Sequence, residues 1–223
     1  MNLSKSLQEN YNRIKADFVD CSDFLIRKAK TGNREFLIMV CDGLIDSLQL
    51  SQMVVSPILR CDEIDIDTII KSITNSVELN EAETFADCYY YVMSGFAVVL
   101  VDGEDKALAF GVQSLPARSV DVPSNEQSTK APKEAFVEVL NTNKALLRKR
   151  LKTPHLKLKQ IKLASSAPMP CVIAYMDDRA DKELVSQIMQ ALRSSNLNTL
   201  TDFGTLVPFI DTNINTMFSD VSS

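Results

Sequence analysis

Four acidic residues close together are the first candidates for chemistry, because clustered carboxylates can bind a divalent cation. They are Asp62, Glu63, Asp65 and Asp67. The spacing fails as a calcium loop, because Ile64 stands where a carboxylate is needed and Asp67 stands where glycine is needed. The acids also fall in the first turn of a helix predicted at 64–74, where the helix dipole favours negative charge. We therefore expect a capping role and no bound metal.

Other reactive residue types occur without the partners that catalysis requires. His155 is the only histidine, which excludes sites built from two or more histidines. Cys88 has no neighbouring cation in the sequence to lower its pKa, so we expect a buried, inert thiol. The five cysteines form no CxxC pair, which is typical of a reducing compartment. No phosphate-binding loop or nucleophile elbow occurs. We expect no enzyme activity, no catalytic residues and no cofactor.

A dense basic stretch, KALLRKRLKTPHLKLKQIK at 144–162, stands out in a chain of net charge −5. Residues 130–163 hold ten Lys or Arg and two Glu. Without interleaved aromatic residues or a known motif, nucleic-acid binding is not expected. On a helix predicted at 132–152, Arg148 and Lys149 lie opposite the apolar stripe and Arg150 lies at its edge. A solvated face is the favoured interpretation, and a docking surface for an acidic partner or subdomain stays open.

Asn143 lies in the middle of that apolar stripe, which runs from Phe136 to Leu151 on the helical wheel. A buried asparagine must find hydrogen-bond partners for its carboxamide. We therefore predict that Asn143 ties the helix to nearby backbone.

The hydrophobic periodicity predicts helices that alternate with short strands. Helices are predicted at 3–19, 44–60, 64–74, 81–93, 132–152, 180–193 and 203–210. One predicted hairpin pairs 23–29 with 35–41, and another pairs 96–101 with 106–112 across an Asp-Gly turn. Further strands are predicted at 156–163 and 171–176. The pattern predicts an α/β (α+β) fold of two small subdomains, each with helices packed on a short mixed sheet.

The predicted domain organisation follows from a Ser- and Pro-rich stretch without periodicity. We place an N-terminal subdomain at 1–115, a linker at 116–131 and a C-terminal subdomain at 132–223. No apolar run approaches the roughly 20 residues that span a bilayer, so the chain as given is expected to be soluble.

The stretch KAPKEAFVEVLNTNKALLRKRLKTPHLKL (130–158) resembles the signature of the spore germinant receptor A-subunit family. That signature combines an acidic and aromatic run, a Thr-Asn pair, a basic triplet and a Pro-x-Leu tail. The matching residues are Pro132, Glu134, Phe136, Val137, Glu138, Thr142, Asn143, Arg148, Lys149, Arg150, Pro154 and Leu156. Segments 23–46, 94–108 and 172–192 resemble the family in the same order, so the likeness spans roughly residues 20–210. We single out six residues as an interaction or structural signature: Glu134, Phe136, Asn143, Arg148, Lys149 and Arg150.

The resemblance implies a cytoplasmic N-terminal domain that acts in receptor assembly and signal transmission during nutrient-triggered spore germination. It also implies continuation into membrane helices absent from this chain and a location at the inner spore membrane, facing the spore core. The implied partners are B- and C-type receptor subunits and other A subunits, without nucleic acid. Two alternatives stay open. One is a small-molecule module that binds a nutrient between its subdomains, and the other is a related sporulation protein linked to dipicolinate release.

Overall fold

A computed structural model describes residues 1–32, 34–73, 78–114, 136–163, 166 and 168–194 of the chain. The chain divides into two compact units, Met1–Leu156 and Lys157–Ser223. The predicted linker at 116–131 and the predicted helix at 203–210 lie outside the described residues. The helix after the linker belongs to the first unit, whereas the sequence analysis placed it in the C-terminal subdomain.

The first unit combines helices with short strands and hairpins along the chain. The strands are β1 (Phe24–Thr31), β2 (Arg34–Cys41), β3 (Leu79–Ala82), β4 (Phe96–Val101) and β5 (Ala107–Gly111). The helices are α1 (Leu7–Asp17), α2 (Ser47–Gln49), α3 (Ser56–Leu59), α4 (Ile66–Ile73), α5 (Phe85–Val92) and α6 (Leu140–Arg150). A π-helical segment, Leu50–Val55, joins α2 to α3.

The five strands form one sheet in the order β1-β2-β4-β5-β3, and every neighbouring pair is antiparallel. Both predicted hairpins are confirmed. Strand β4 lies in the middle of the sheet, and all six of its residues are buried. A strand covered on both faces reads as a continuous apolar run, which is why FAVVLV lacks polar alternation.

Each face of this sheet carries its own core. On one face, α1 and α5 cover Leu37, Val98 and Leu100 with side chains such as Ile14 and Val92. On the other face, the helical segments between β2 and β3 cover the alternate residues of the same strands, among them Phe36, Val99 and Phe110. The first unit is therefore a sheet between two helical layers, and the α+β fold class is confirmed.

Strand β3 was not predicted from the sequence, whose pattern indicated a helix from residue 81 onward. Leu79–Ala82 contains Asn and Glu, which are poor strand formers, and it is held by backbone pairing with β5. The helix begins only at Phe85, because Thr84 and Asp87 form a capping box that marks its N-terminus. The strand therefore depends on a distant partner and not on local preference.

The second unit contains a two-stranded sheet of β6 (Leu156–Leu163) and β7 (Met169–Met176), followed by α7 (Lys182–Ser194). Its small core is formed by Ile161, Leu163, Met189 and Leu192. Lys157 was expected on a solvated face, but it is buried and its Nζ lies 3.1 Å from the carboxylate of Asp177. The neighbouring acid lets a lysine occupy an otherwise apolar environment.

Candidate functional site

The helix that contains the start of the basic stretch begins later than predicted. Helix α6 begins at Leu140, and the described residues just before it, 136–139, are not helical. Phe136, expected on the inward stripe, is 65% exposed. Because Phe136 precedes the helix, the wheel that placed it inward does not apply to it. Glu134 lies outside the described residues.

Asn143 holds the segment that precedes helix α6 against the first turn of the helix. Its Oδ1 accepts a hydrogen bond from the backbone N–H of Val137 at 2.8 Å, and its Nδ2 donates to the Val137 carbonyl at 2.7 Å. The carboxamide therefore uses both of its ends on one backbone residue, six positions earlier. The prediction that Asn143 ties the helix to nearby backbone is confirmed.

Replacing Asn143 with alanine is expected to lower the free energy of unfolding by about 1–2 kcal/mol, because two backbone groups lose partners in a half-buried place. Urea denaturation would measure the loss, and amide exchange at Val137 should accelerate. Asn141→Ala, an exposed position on the same helix, is the control and should change stability by less than about 0.5 kcal/mol. Equal losses from the two variants would show that the carboxamide does not hold this turn.

Arg148 contradicts the solvated-face interpretation. Its side chain is 1% exposed, while Lys149 and Arg150 on the following positions are exposed. Lys144, one turn before Arg148, is buried as well. Two cations of helix α6 therefore point inward. The most deeply buried face of the helix is the one that carries these cations and not the predicted apolar stripe.

The buried guanidinium pairs with a carboxylate at the start of β1. Arg148 Nε donates to Asp23 Oδ2 at 2.8 Å, and Nη2 donates to Asp23 Oδ1 at 3.0 Å. This two-point geometry is the strongest form of an arginine–carboxylate contact. Asp23 is itself fully buried, so neither charge has bulk water as an alternative partner.

The remaining donors of Arg148 hold the segment after the helix. Nη1 donates to the Thr153 carbonyl at 2.7 Å and Nη2 to the Leu156 carbonyl at 3.0 Å, while Nη1 also approaches the Met93 sulfur at 4.0 Å. A guanidinium has five N–H groups, and each has an acceptor here. Arg148 thereby joins β1, α6 and residues 153–156 at one point.

The surroundings of Asp23 shift the pKa of neighbouring groups. Burial, and then the charge of Asp23, raise the pKa of the Cys41 thiol, which donates to Asp23 Oδ2 at 3.2 Å. For Arg148, burial alone would lower the pKa, but the hydrogen bonds and charge of Asp23 outweigh it and the pKa is raised. The guanidinium therefore stays charged and the thiol stays protonated at neutral pH, which is the pattern of a structural site.

Helix α6 also packs closely on the turn after β2. Gly43 has φ +81°, and a Cβ there would lie 3.1 Å from the Asn141 carbonyl oxygen and 3.2 Å from the Ala145 Cβ. The Asp-Gly turn therefore needs glycine both for its backbone angle and for the approach of the helix. At the far end, Lys152 Nζ donates to Ser94 Oγ at 2.9 Å and lies 5.2 Å from the Tyr90 ring centroid.

The surroundings of the other chemical candidates, Asp65, Cys88 and His155, differ. Asp65 accepts the Thr68 backbone N–H at 2.6 Å, and this hydrogen bond lowers the pKa of the Asp65 carboxyl, as expected of a helix cap. Cys88 is fully buried, and burial raises the pKa of its thiol to about 12. His155 is exposed. Within the part of the chain that the structure describes, no helix is both long and apolar enough to cross a bilayer.

Asp23, the partner on which this site depends, was not predicted from the sequence. Asp23 and Arg148 are 125 positions apart, and nothing local distinguishes Asp23 from the other acids before a strand. The one available signal was the combination of an arginine one turn after Lys144 and an acid directly preceding an apolar strand. The arrangement can hold three chain segments in register, and the described residues around it offer it no catalytic group.

Comparison with known proteins finds relatives over nearly the whole chain. A family model described as Bacillus/Clostridium GerA spore germination protein matches residues 12–223. Spore germination protein B1 of Bacillus subtilis (strain 168) is 30% identical over 220 residues, which cover 95% of this chain and 45% of that protein. Stage V sporulation protein AF of the same strain is 26% identical over 198 residues, which cover 86% of this chain and 40% of that protein.

A solved structure shares the fold of the chain. The N-terminal domain of the A subunit of the Bacillus megaterium spore germinant receptor GerK3 matches with a TM-score of 0.68 at 25% identity, over 88% of this chain and 74% of that chain. The chain spans less than half the length of the two relatives from Bacillus subtilis.

Proposed function

The chain belongs to the Bacillus/Clostridium GerA spore germination protein family, and from that premise we propose that it is an N-terminal domain of a germinant receptor A subunit that assembles the receptor and transmits its signal. The observation that carries the proposal is the fold shared with the N-terminal domain of the GerK3 A subunit. The proposed role is not enzymatic. It consists of presenting a rigid surface to other parts of the receptor.

The interior of the first unit supports the proposed role in signal transmission. Its sheet is covered on both faces, and Arg148 joins three segments that are distant in sequence. A domain held in one conformation can pass a displacement from one surface to another, because packed cores deform little. The proposed partners are B- and C-type subunits and further A subunits. The proposed location is the inner spore membrane, with this domain on the core side.

The first experiment tests the role in germination. The gene is deleted in its host, and spores are exposed to single nutrients while germination is followed by the loss of optical density. We expect loss of the response to one class of nutrient and restoration by the full-length gene. Unchanged germination with every nutrient, in a strain without a redundant homologue, would contradict the receptor role.

A second measurement separates the role in assembly from other roles. Spores carrying a full-length Arg148→Met protein should contain less of the other receptor subunits in their membrane fraction than spores carrying Arg27→Met, the same change at an exposed position of β1. Immunoblots of the membrane fraction give the comparison. Normal subunit levels combined with a lost nutrient response would favour signal transmission without assembly.

The related sporulation protein is a second candidate, because Stage V sporulation protein AF is similar to most of this chain. On that alternative, deletion should slow dipicolinate release with every trigger and spare the choice of nutrient. Titration calorimetry of the purified chain with single amino acids and sugars tests the remaining alternative. Saturable heat from one nutrient would favour a binding module.

A further inference from the structure

Helix α6 and its neighbours present a surface that combines exposed apolar side chains with exposed cations. The apolar members are Tyr90, Phe136, Val139 and Leu151, each between 43% and 65% exposed. The cationic members are Lys149, Arg150 and Lys152, all exposed. We call this set the α6 surface. Clustered exposed apolar residues beside charged ones mark interaction sites more often than scattered single residues do.

The members of the α6 surface lie close together in the first unit. Lys152 Nζ lies 5.2 Å from the ring centroid of Tyr90, which brings the end of α5 to the end of α6. At the other end, the bonds of Asn143 to Val137 fix the residues beside Phe136 against the helix. Helix α6 has 11 residues, so the two ends are about 16 Å apart. A partner surface about 16 Å long therefore reaches from one end of the helix to the other.

The charge of the α6 surface is opposite to that of the chain as a whole. Between residues 136 and 156 the one acid is Glu138, whereas the chain carries a net charge of −5. Because Arg148 and Lys144 are buried, the outward cations are the three at the C-terminal end. A partner for this surface must be anionic and must also accept tyrosine, phenylalanine and aliphatic side chains.

We propose that the α6 surface binds the headgroup region of a membrane that contains anionic phospholipid. Aromatic and aliphatic side chains enter the interface between headgroups and acyl chains, while lysine and arginine bind the negative headgroups. A purely polar, acidic protein surface would use the cations but would leave Phe136 and Val139 without a role. The proposal rests on this surface and not on the germination role, so failure of one leaves the other standing.

Vesicle flotation with the purified 223-residue chain tests the proposal. Vesicles of phosphatidylcholine with half phosphatidylglycerol are compared with pure phosphatidylcholine, at about 20 mM and about 300 mM salt. We expect binding to the anionic vesicles at low salt, with at least a five-fold loss at high salt, because a longer screening distance at low salt strengthens the attraction. Binding to neither vesicle at low salt would overturn the proposal.

Variants identify the surface that binds. Lys149→Glu with Arg150→Glu should reduce vesicle binding at least five-fold, and Phe136→Ser should reduce it at least two-fold. The matched control is Arg27→Glu with Lys30→Glu, the same charge change at exposed positions of β1. Equal losses from the two double variants would show general electrostatic attraction and overturn the assignment to the α6 surface.

A polyglutamate competitor separates lipid from an acidic protein partner. The lipid assignment is wrong if two results occur together. Polyglutamate displaces the chain from the anionic vesicles, and Phe136→Ser changes neither vesicle binding nor polyglutamate binding. The surface would then bind an acidic protein. Each variant should remain folded, since the substituted side chains are exposed. Circular dichroism checks this for every variant. Retention of vesicle binding by the control together with its loss in the α6 variants supports the proposal.

Discussion

Replacing Arg148 with methionine should lower the free energy of unfolding by about 3–5 kcal/mol, because the change leaves a buried carboxylate without its counter-charge. Asp23 is fully buried, and its two carboxylate oxygens accept hydrogen bonds from Nε and Nη2 of Arg148. The carbonyls of Thr153 and Leu156 lose donors in the same variant. A loss of this size is a large fraction of the stability of an ordinary domain.

Urea denaturation of Arg148→Met and Lys149→Met measures the effect. The neighbouring lysine is exposed, so its replacement should cost less than about 0.5 kcal/mol. If Arg148→Met is too unstable to purify, Arg148→Lys keeps the charge but loses the two-point contact, and should show an intermediate loss. Similar losses at positions 148 and 149 would contradict the buried pair.

A double variant tests why the pair matters. Asp23→Leu with Arg148→Met removes both charges and should recover part of the stability lost by either single variant, because no unpaired charge is left in the interior. The cycle isolates the coupling between the two side chains. Additive losses would show that the charges are not coupled.

Phe110→Ala should lower the free energy of unfolding by about 3–5 kcal/mol, whereas Phe136→Ala should change it by less than about 0.5 kcal/mol. Phe110 is fully buried in the core on the face covered by the helical segments after β2. Phe136 is mostly exposed, so truncation leaves no cavity. The same chemical change is thus made in opposite environments.

Thermal unfolding of the two phenylalanine variants gives a direct comparison. Phe110→Ala should unfold at a clearly lower temperature than the parent protein, and Phe136→Ala should match the parent. A large loss from Phe136→Ala would mean that Phe136 packs inward, as the helical wheel over 132–152 predicted. The result therefore decides between the observed and the predicted start of helix α6.

Much of the first unit could be predicted because its signals are local. The hairpins at β1–β2 and β4–β5 are marked by apolar runs separated by glycine turns, and β4 is apolar because both of its faces are covered. Gly103, in the predicted Asp-Gly turn of the second hairpin, adopts positive φ as that turn requires. Asn143 was predictable because a carboxamide in an apolar stripe needs a partner.

The rest depended on residues far apart in the chain. Strand β3 exists because β5 offers it backbone partners, and its own residues do not favour extended structure. The predicted division after residue 115 placed α6 in the C-terminal subdomain, because the chain before it lacks periodicity. The ion pair with Asp23 joins α6 to the first unit, and no periodicity reports a pair 125 positions apart.

The basic stretch separates what the local sequence determines from what only the tertiary structure decides. By itself, the sequence determined the family and the two hairpins of the first unit. It also determined that the basic stretch contains a helix followed by a strand, because the pattern of neighbouring residues indicates each of these elements. Only the tertiary structure decided that Arg148 points inward while Lys149 and Arg150 point outward. A helical wheel sorts residues by hydrophobicity, whereas a buried arginine is placed by its carboxylate, and Asp23 reaches it only in the folded chain.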